Sequence, residues 1–104
     1  MNDAVIQAFL NAIESSRPKI REMYLFGSRA RGDEQPDSDY DVLIVTKEKD
    51  LPLKDSIYDA VTDVCLKYRR DISLKVFPAE KFDRLKNIPS RFIQNVMAEG
   101  IKIG

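Results

Sequence analysis

The sequence contains no histidine and no tryptophan, and only one of its 104 residues is a cysteine. Without histidine, imidazole metal ligands and histidine general bases are excluded from any chemistry that the chain performs. The single cysteine, Cys65, cannot form an internal disulfide, which fits a reducing compartment. Cys65 lies on the apolar side of an expected helix, so we predict that it packs in the core.

The chain also lacks an excess of charge, because Lys plus Arg and Asp plus Glu both number 17. A net charge of zero is atypical of a protein that binds nucleic acid nonspecifically. No apolar run is long enough to span a membrane, and the N-terminus lacks the basic start of a signal peptide. We therefore expect a cytoplasmic protein that enters no membrane and binds no nucleic acid on its own.

Length and hydrophobic periodicity predict one domain, residues 1–104, with one core. The apolar run in residues 42–45 indicates a strand buried on both faces, and hence a central position for it. The order of elements favours an α/β (α+β) two-layer fold, a small mixed β-sheet covered by helices. We expect strands at 20–26, 40–46, 71–77 and 101–103, and helices at 3–16 (capped by Asn2 or Asp3 and ended by Pro18), 28–31, 54–69, 79–86 and from Pro89 to Glu99.

Two short motifs flank neighbouring apolar runs. Gly27-Ser28 closes the run 24–26, and Asp39-Tyr40-Asp41 opens the run 42–45. Residues i and i+2 of a strand project to the same side, so Asp39 and Asp41 point together. Paired carboxylates suit a hard divalent ion such as Mg²⁺, and a glycine-serine turn that leads into a helix offers N–H groups to a phosphate. Together the motifs predict a site for a nucleoside triphosphate.

The residues Gly27-Ser28, a ten-residue gap and Asp39-Tyr40-Asp41 resemble the hallmark of polymerase-beta superfamily nucleotidyltransferases. The longer string GSRARGDEQPDSDYDVLIV is similar to their small branch, the minimal nucleotidyltransferases that act as antitoxins. The resemblance implies a polymerase-beta-like nucleotidyltransferase core, ATP as substrate and one or two Mg²⁺ ions. It also implies a small all-helical partner of the HEPN type, which receives AMP on a tyrosine.

The resemblance and the residue chemistry assign roles within the expected site. Asp39 and Asp41 would hold Mg²⁺, while Gly27 and Ser28 would contact the triphosphate. The stretch DISLKVF is similar to the strand that carries the third carboxylate of the family, which makes Asp71 the candidate metal ligand and proton acceptor. Asp71 could instead only balance Arg69 and Arg70 at the surface.

Four residues around the motifs have a structural interpretation beside the functional one. Arg29 and Arg31 flank the turn, and one of them could neutralise the triphosphate while the other anchors the loop to Asp33 or Asp37. For Arg31 the two roles are equally supported. Ser38 is expected to bond within its own loop, and Tyr40 to pack in the core on the opposite side of the sheet.

Three functions remain open at this level. The first is Mg²⁺-dependent transfer of a nucleoside monophosphate, AMP from ATP, to a hydroxyl of a HEPN-type partner toxin. The second is the same chemistry on a small-molecule acceptor, as in aminoglycoside nucleotidyltransferases. The third is an antitoxin that neutralises its partner by contact and keeps the site as a relic.

Overall fold

A four-stranded mixed sheet forms the centre of the molecule. The computed structural model describes residues 3–35, 38–88 and 90–104. In the sheet order β3-β2-β1-β4, β2 runs parallel to β3 and antiparallel to β1, which also pairs with β4 in antiparallel fashion. The central position of β2 is confirmed. The strands are β1 (Ile20–Phe26), β2 (Tyr40–Thr46), β3 (Ile72–Pro78) and β4 (Ile101–Lys102).

Within the described residues, five α-helices accompany the sheet, and two of them cover its first side. This surface of the sheet, which we call the α1–α3 face, carries the larger hydrophobic cluster, with Phe9, Ile57 and Val42 fully buried. Tyr40 and the partly buried Cys65 pack in this cluster, as predicted. The helices are α1 (Ala4–Ala12), α2 (Ser28–Arg31), α3 (Leu51–Tyr68), α4 (Ala79–Lys86) and α5 (Arg91–Glu99).

The second side of the sheet, the α4–α5 face, carries a smaller cluster. Alternation along β2 sends Leu43 and Val45 to this side, where they meet Phe82 of α4 and Val96 of α5. The mixed sheet covered by helices is confirmed, and the second cluster adds a third layer to the two that we expected. The short helix α4 contributes the buried Phe82 to this cluster, and α5 contributes Ile93 and Val96.

The first helix is shorter than its apolar stripe predicts. Asp3 caps α1, since its Oδ1 accepts hydrogen bonds from the amides of Val5 and Ile6 at 2.8 and 3.1 Å. The helix ends at Ala12, and a 3-10 helix follows at Glu14–Lys19. Pro18 lies inside this 3-10 helix, so the prediction that it ends α1 was wrong. Asn2 lies outside the described residues.

The start of α3 also differs from the prediction. We expected this helix to begin at residue 54, after a loop that contains Pro52. It begins at Leu51, with Asp50 as its cap and Pro52 in the first turn. Proline is tolerated there because the first amides of a helix have no partner within it.

The last helix has a similar discrepancy at its start. It begins at Arg91 behind the cap Ser90, while Pro89 lies outside the described residues. Its expected inner residue Met97 is half exposed. None of the helices in the described ranges is both long and apolar enough to cross a membrane.

Candidate functional site

The two predicted motifs meet where β1 ends and β2 begins. Phe26, the last residue of β1, is the register partner of Asp41. Gly27 follows with φ of 77°, in the region that favours glycine, and it caps the short helix α2. A Cβ on Gly27 would collide with Oδ2 of Asp41 and would lie 3.1 Å from its Cγ. Gly27 is therefore required both by its backbone conformation and by the adjacent carboxylate.

Asp41, one of the two candidate metal ligands, lies on the α4–α5 face, and Asp39 immediately precedes β2. Asp41 alternates with the buried Tyr40 and Val42 and is half-buried, whereas Asp39 is exposed. Burial raises the pKa of Asp41, and the nearby charge of Asp39 raises it further. The positive charges of Arg31 and Lys75 act in the opposite direction on the same pKa. Asp41 is thus a carboxylate that a bound cation would stabilise.

The amides of α2 face the same region. Those of Ala30 and Arg31 both donate to the carbonyl of Gly27 at 3.1 Å. The amides that precede them, those of Ser28 and Arg29, belong to the part of a helix that has no internal acceptors. The turn thus places N–H donors beside a pair of acids, as a metal-bound phosphate requires.

Arg29 fixes the loop that leads into the aspartates. Its Nε and Nη2 donate to the carbonyl of Ser38 at 3.1 and 2.9 Å, and its guanidinium lies 4.0 Å from the ring centre of Tyr40. Tyr40 in turn donates to Oδ2 of Asp3 at 2.7 Å. Arg29 therefore holds the residue before Asp39 and the residue after it, which is an anchoring role.

Arg31 has two acidic partners. Its Nε donates to Asp33 at 3.2 Å, and its Nη1 donates to Glu99, the last residue of α5, at 3.0 Å. The expected anchoring to Asp33 is confirmed, and the bond to Glu99 is new. Both contacts are largely exposed, so a triphosphate could displace them at small cost. The expected pairing with Asp37 falls outside the described residues. The local bonding of Ser38 is confirmed, because its Oγ accepts from the amide of Gln35 at 2.8 Å.

Asp71 lies at the start of β3, next to the aspartate motif. Its carbonyl accepts from the amide of Tyr40 at 3.0 Å, and its side chain is exposed. In residues 3–35, 38–88 and 90–104, no three His, Cys, Asp or Glu side chains form a cluster that could hold a metal ion. The three-carboxylate set of Asp39, Asp41 and Asp71 stays a prediction.

Two charged residues near the site escaped the sequence analysis. Lys75 was given no role from the sequence, yet its charge acts on Asp41. Glu99 was read only as the end of α5. The parallel register, which sets Ser73 beside Asp41 and Lys75 beside Leu43, would have pointed to Lys75.

The carboxylates at this site are suited to bind a divalent cation. Asp39 and Asp41 offer hard oxygen donors at the start of β2, close enough for the charge of Asp39 to act on Asp41. The absence of a Cβ at Gly27 leaves space for the Asp41 carboxylate. A cavity of about 510 Å³ exists at the far end of β2, lined by Thr46, Lys47 and Asp50 among others, and includes none of the predicted site residues.

Comparisons with known proteins identify the family of the chain. The family model described as "Polymerase beta, Nucleotidyltransferase" matches residues 9–104. The chain therefore belongs to this family and is a nucleotidyltransferase. A candidate protein adenylyltransferase of Methanocaldococcus jannaschii is 39% identical over 99 residues, covering 94% of this chain and 93% of the relative. A second one from the same organism is 35% identical over 88 residues, covering 84% and 82%.

Solved structures share the fold. A toxin–antitoxin structure with AMP-PNP matches 98% of this chain and 72% of its own with a TM-score of 0.60 and 16% identity. The complex of a tri-AMPylated Shewanella oneidensis HEPN toxin with an MNT antitoxin matches 98% and 71% with a TM-score of 0.55 and 14% identity. At these identities the likeness establishes a polymerase-beta-like nucleotidyltransferase fold, as the sequence predicted.

Proposed function

We propose that the chain transfers AMP from ATP to a hydroxyl of another protein, with Mg²⁺ bound by Asp39 and Asp41. The observation that carries the proposal is the contact between the two motifs, where the Asp41 carboxylate occupies the space that Gly27 leaves open. Two relatives named as candidate protein adenylyltransferases, which match most of the chain, support a protein acceptor. When bound, Mg²⁺ would neutralise charge on the transferred phosphoryl group.

The residues of the chain would do the rest by position. The amides of Ser28 and Arg29 would bind phosphate oxygens of the triphosphate, and Arg31 would exchange its exposed bonds to Asp33 and Glu99 for one of them. The acceptor oxygen forms a bond to the α-phosphorus as the bond to the pyrophosphate oxygen breaks. Asp71 would accept the hydroxyl proton, and pyrophosphate would leave.

We further propose that the acceptor belongs to a small helical toxin of the HEPN type, which would make this chain an antitoxin. The support is the fold shared with toxin–antitoxin structures, one of which contains a tri-AMPylated HEPN toxin. A small-molecule acceptor and an inactive, purely binding antitoxin are the alternatives, and the test below separates the second of them from the proposal.

The test is incubation of the chain with Mg²⁺, each of the four nucleoside triphosphates and a helical HEPN-type partner, followed by intact-mass spectrometry. The proposal predicts a mass gain of one or more adenylyl groups on the partner, with ATP and not with ATP lacking Mg²⁺. A stable complex with no mass change would support the binding antitoxin instead.

A further inference from the structure

A strip of surface on the α4–α5 face of β3 adjoins the site and has no part in the triphosphate contacts proposed above. We define the β3 strip as Ser73, Lys75 and Phe77 of β3 with Lys81 of α4 and Phe92 of α5. Ser73 is exposed and is the register partner of Asp41, and Lys75 is the next residue on that side of the strand. The strip therefore begins directly beside the candidate metal ligands.

The strip combines aromatic rings and lysines. The half-buried rings of Phe77 and Phe92 meet edge-on, with centroids 6.1 Å apart, and Phe92 also meets Phe26 at 5.3 Å. Lys75 Nζ lies 5.7 Å from the ring centre of Phe92, and Lys81 Nζ lies 4.6 Å from that of Phe77. Among the described residues no carboxylate lies within 4 Å of either ammonium group. The strip thus offers two positive charges over an apolar floor.

The order of the strands decides which reactant would lie on this strip. Phosphoryl transfer places the attacking and leaving oxygens roughly in line on opposite sides of the phosphorus. Gly27 and Ser28 follow β1, Asp41 is on β2, and Ser73 is on β3, with β2 between the other two. If the pyrophosphate lies over the β1 end, the attacking hydroxyl must enter from the β3 side. The β3 strip is then on the acceptor side of the site.

We propose that the β3 strip is the acceptor subsite and that it takes a protein segment with acidic residues next to the modified hydroxyl. Lys75 and Lys81 would pair with those acidic side chains, and the Phe92 and Phe77 rings would pack against an aromatic ring or aliphatic stem. This inference rests on the proposed function, because it takes the triphosphate position at Gly27-Ser28 as given.

The test compares three synthetic tyrosine peptides whose flanking residues are Glu, Gln or Lys. Adenylyl transfer from Mg-ATP is measured by mass spectrometry for the wild type and for the double variant Lys75→Glu/Lys81→Glu. The control is Lys67→Glu, because Lys67 also lies over a ring, that of Tyr68 at 5.5 Å, but on α3. ATP affinity is measured by calorimetry for every variant, with Arg31→Ala for comparison.

We expect the wild type to prefer the Glu-flanked over the Lys-flanked peptide by about tenfold, the size of two surface ion pairs. The double variant should lose or reverse this preference, whereas Lys67→Glu should keep it and should bind ATP within about twofold of the wild type. Transfer that ignores the flanking charge would overturn the inference, as would no transfer to any peptide by an ATP-binding enzyme. So would a double variant that loses ATP affinity as Arg31→Ala does. Failure of the wild type to bind ATP would instead refute the proposed function.

Discussion

Gly27 is the residue at which backbone conformation and chemistry coincide. We expected glycine here so that a phosphate could approach. In the structure, the Asp41 carboxylate already lies where a Cβ of residue 27 would stand. No pattern in the sequence could predict this second reason, because it depends on the register of β1 with β2. The prediction that Asp39 and Asp41 project together, by contrast, rests on i, i+2 alternation alone.

Replacing Gly27 with alanine should separate the effect of backbone strain from the effect of the clash with Asp41, provided that Gly32→Ala is measured as the control. Gly32 also has positive φ, 82°, but nothing lies within 4 Å of a Cβ built there. Gly32→Ala should lose about 1–2 kcal/mol of stability from its left-handed backbone. Gly27→Ala should lose about 1–3 kcal/mol, because its φ of 77° and ψ of −157° lie in a region that almost only glycine adopts. Only Gly27→Ala should also lose Mg-ATP affinity, by about tenfold or more, because it displaces the Asp41 carboxylate. Calorimetry on the two folded variants checks this, and equal affinities would contradict it.

Asp71 is the second residue with a decisive substitution. If it accepts the proton, Asp71→Asn should leave ATP affinity nearly intact and slow transfer by at least about 10²-fold, since the loss is felt only in the transition state. Asp59→Asn on the exposed side of α3 is the control. Single-turnover transfer to the partner, monitored by mass, makes the comparison. An undiminished rate with Asp71→Asn would remove Asp71 from the mechanism and leave it a surface charge beside Arg69 and Arg70.

At the scale of elements, the strands were predicted better than the helix ends. Alternating and continuous apolar runs set β1 and β2 to the residue, and β3 within one residue. The C-terminal end of α1 and the start of α3 were missed because proline was read as a helix terminator, whereas the cap Asp3 of α1 was predicted. Pro18 and Pro52 both lie in positions where a helix needs no proline N–H, or where a 3-10 segment accommodates the ring.

The link between α1 and β2 depends on Tyr40. Burial, followed by its hydrogen bond to Asp3, raises the pKa of Tyr40 to about 12 from its usual 10. In the unfolded chain the phenol ionises near pH 10, so the stability that Tyr40 contributes is complete below pH 10 and is lost as the pH rises through 12. Tyr40→Phe should cost about 1 kcal/mol at pH 8. It should also flatten the fall in unfolding free energy between pH 10 and pH 12, measured by urea titration. An identical fall in both proteins would contradict this.

At the scale of the whole molecule, the fold class followed from the order of elements and the family from a short motif in its strand context. The second helical layer could not be predicted from the order of elements. It depends on which side of the sheet α4 and α5 pack against, and this is set by contacts with strands that are distant in the sequence. The prediction of a single domain and the assignments of Arg29 and Arg31 to the triphosphate are not tested by the structure. The contacts of Arg29 favour anchoring.

The distribution of charge predicts no tight binding to nucleic acid by the isolated chain. The net charge is zero, and the lysines and the arginine that line the cavity at the far end of β2 share it with Glu48, Asp50 and Glu80. Fluorescence anisotropy with random DNA and RNA oligonucleotides at physiological salt should therefore show no submicromolar binding. Binding that tightens steeply as salt is lowered, and that is submicromolar at physiological salt, would contradict the prediction.

The central claim is that Gly27-Ser28 and the pair Asp39 and Asp41 form one Mg²⁺-triphosphate site. Calorimetric titration of Mg-ATP into the wild type and into Asp39→Asn/Asp41→Asn tests it most directly, with Asp55→Asn/Asp59→Asn on α3 as a control of equal charge change. We predict saturable binding that needs Mg²⁺ in the wild type and in the control, and no measurable binding in a folded Asp39/Asp41 variant. Equal Mg-ATP affinity in all three proteins would contradict the account.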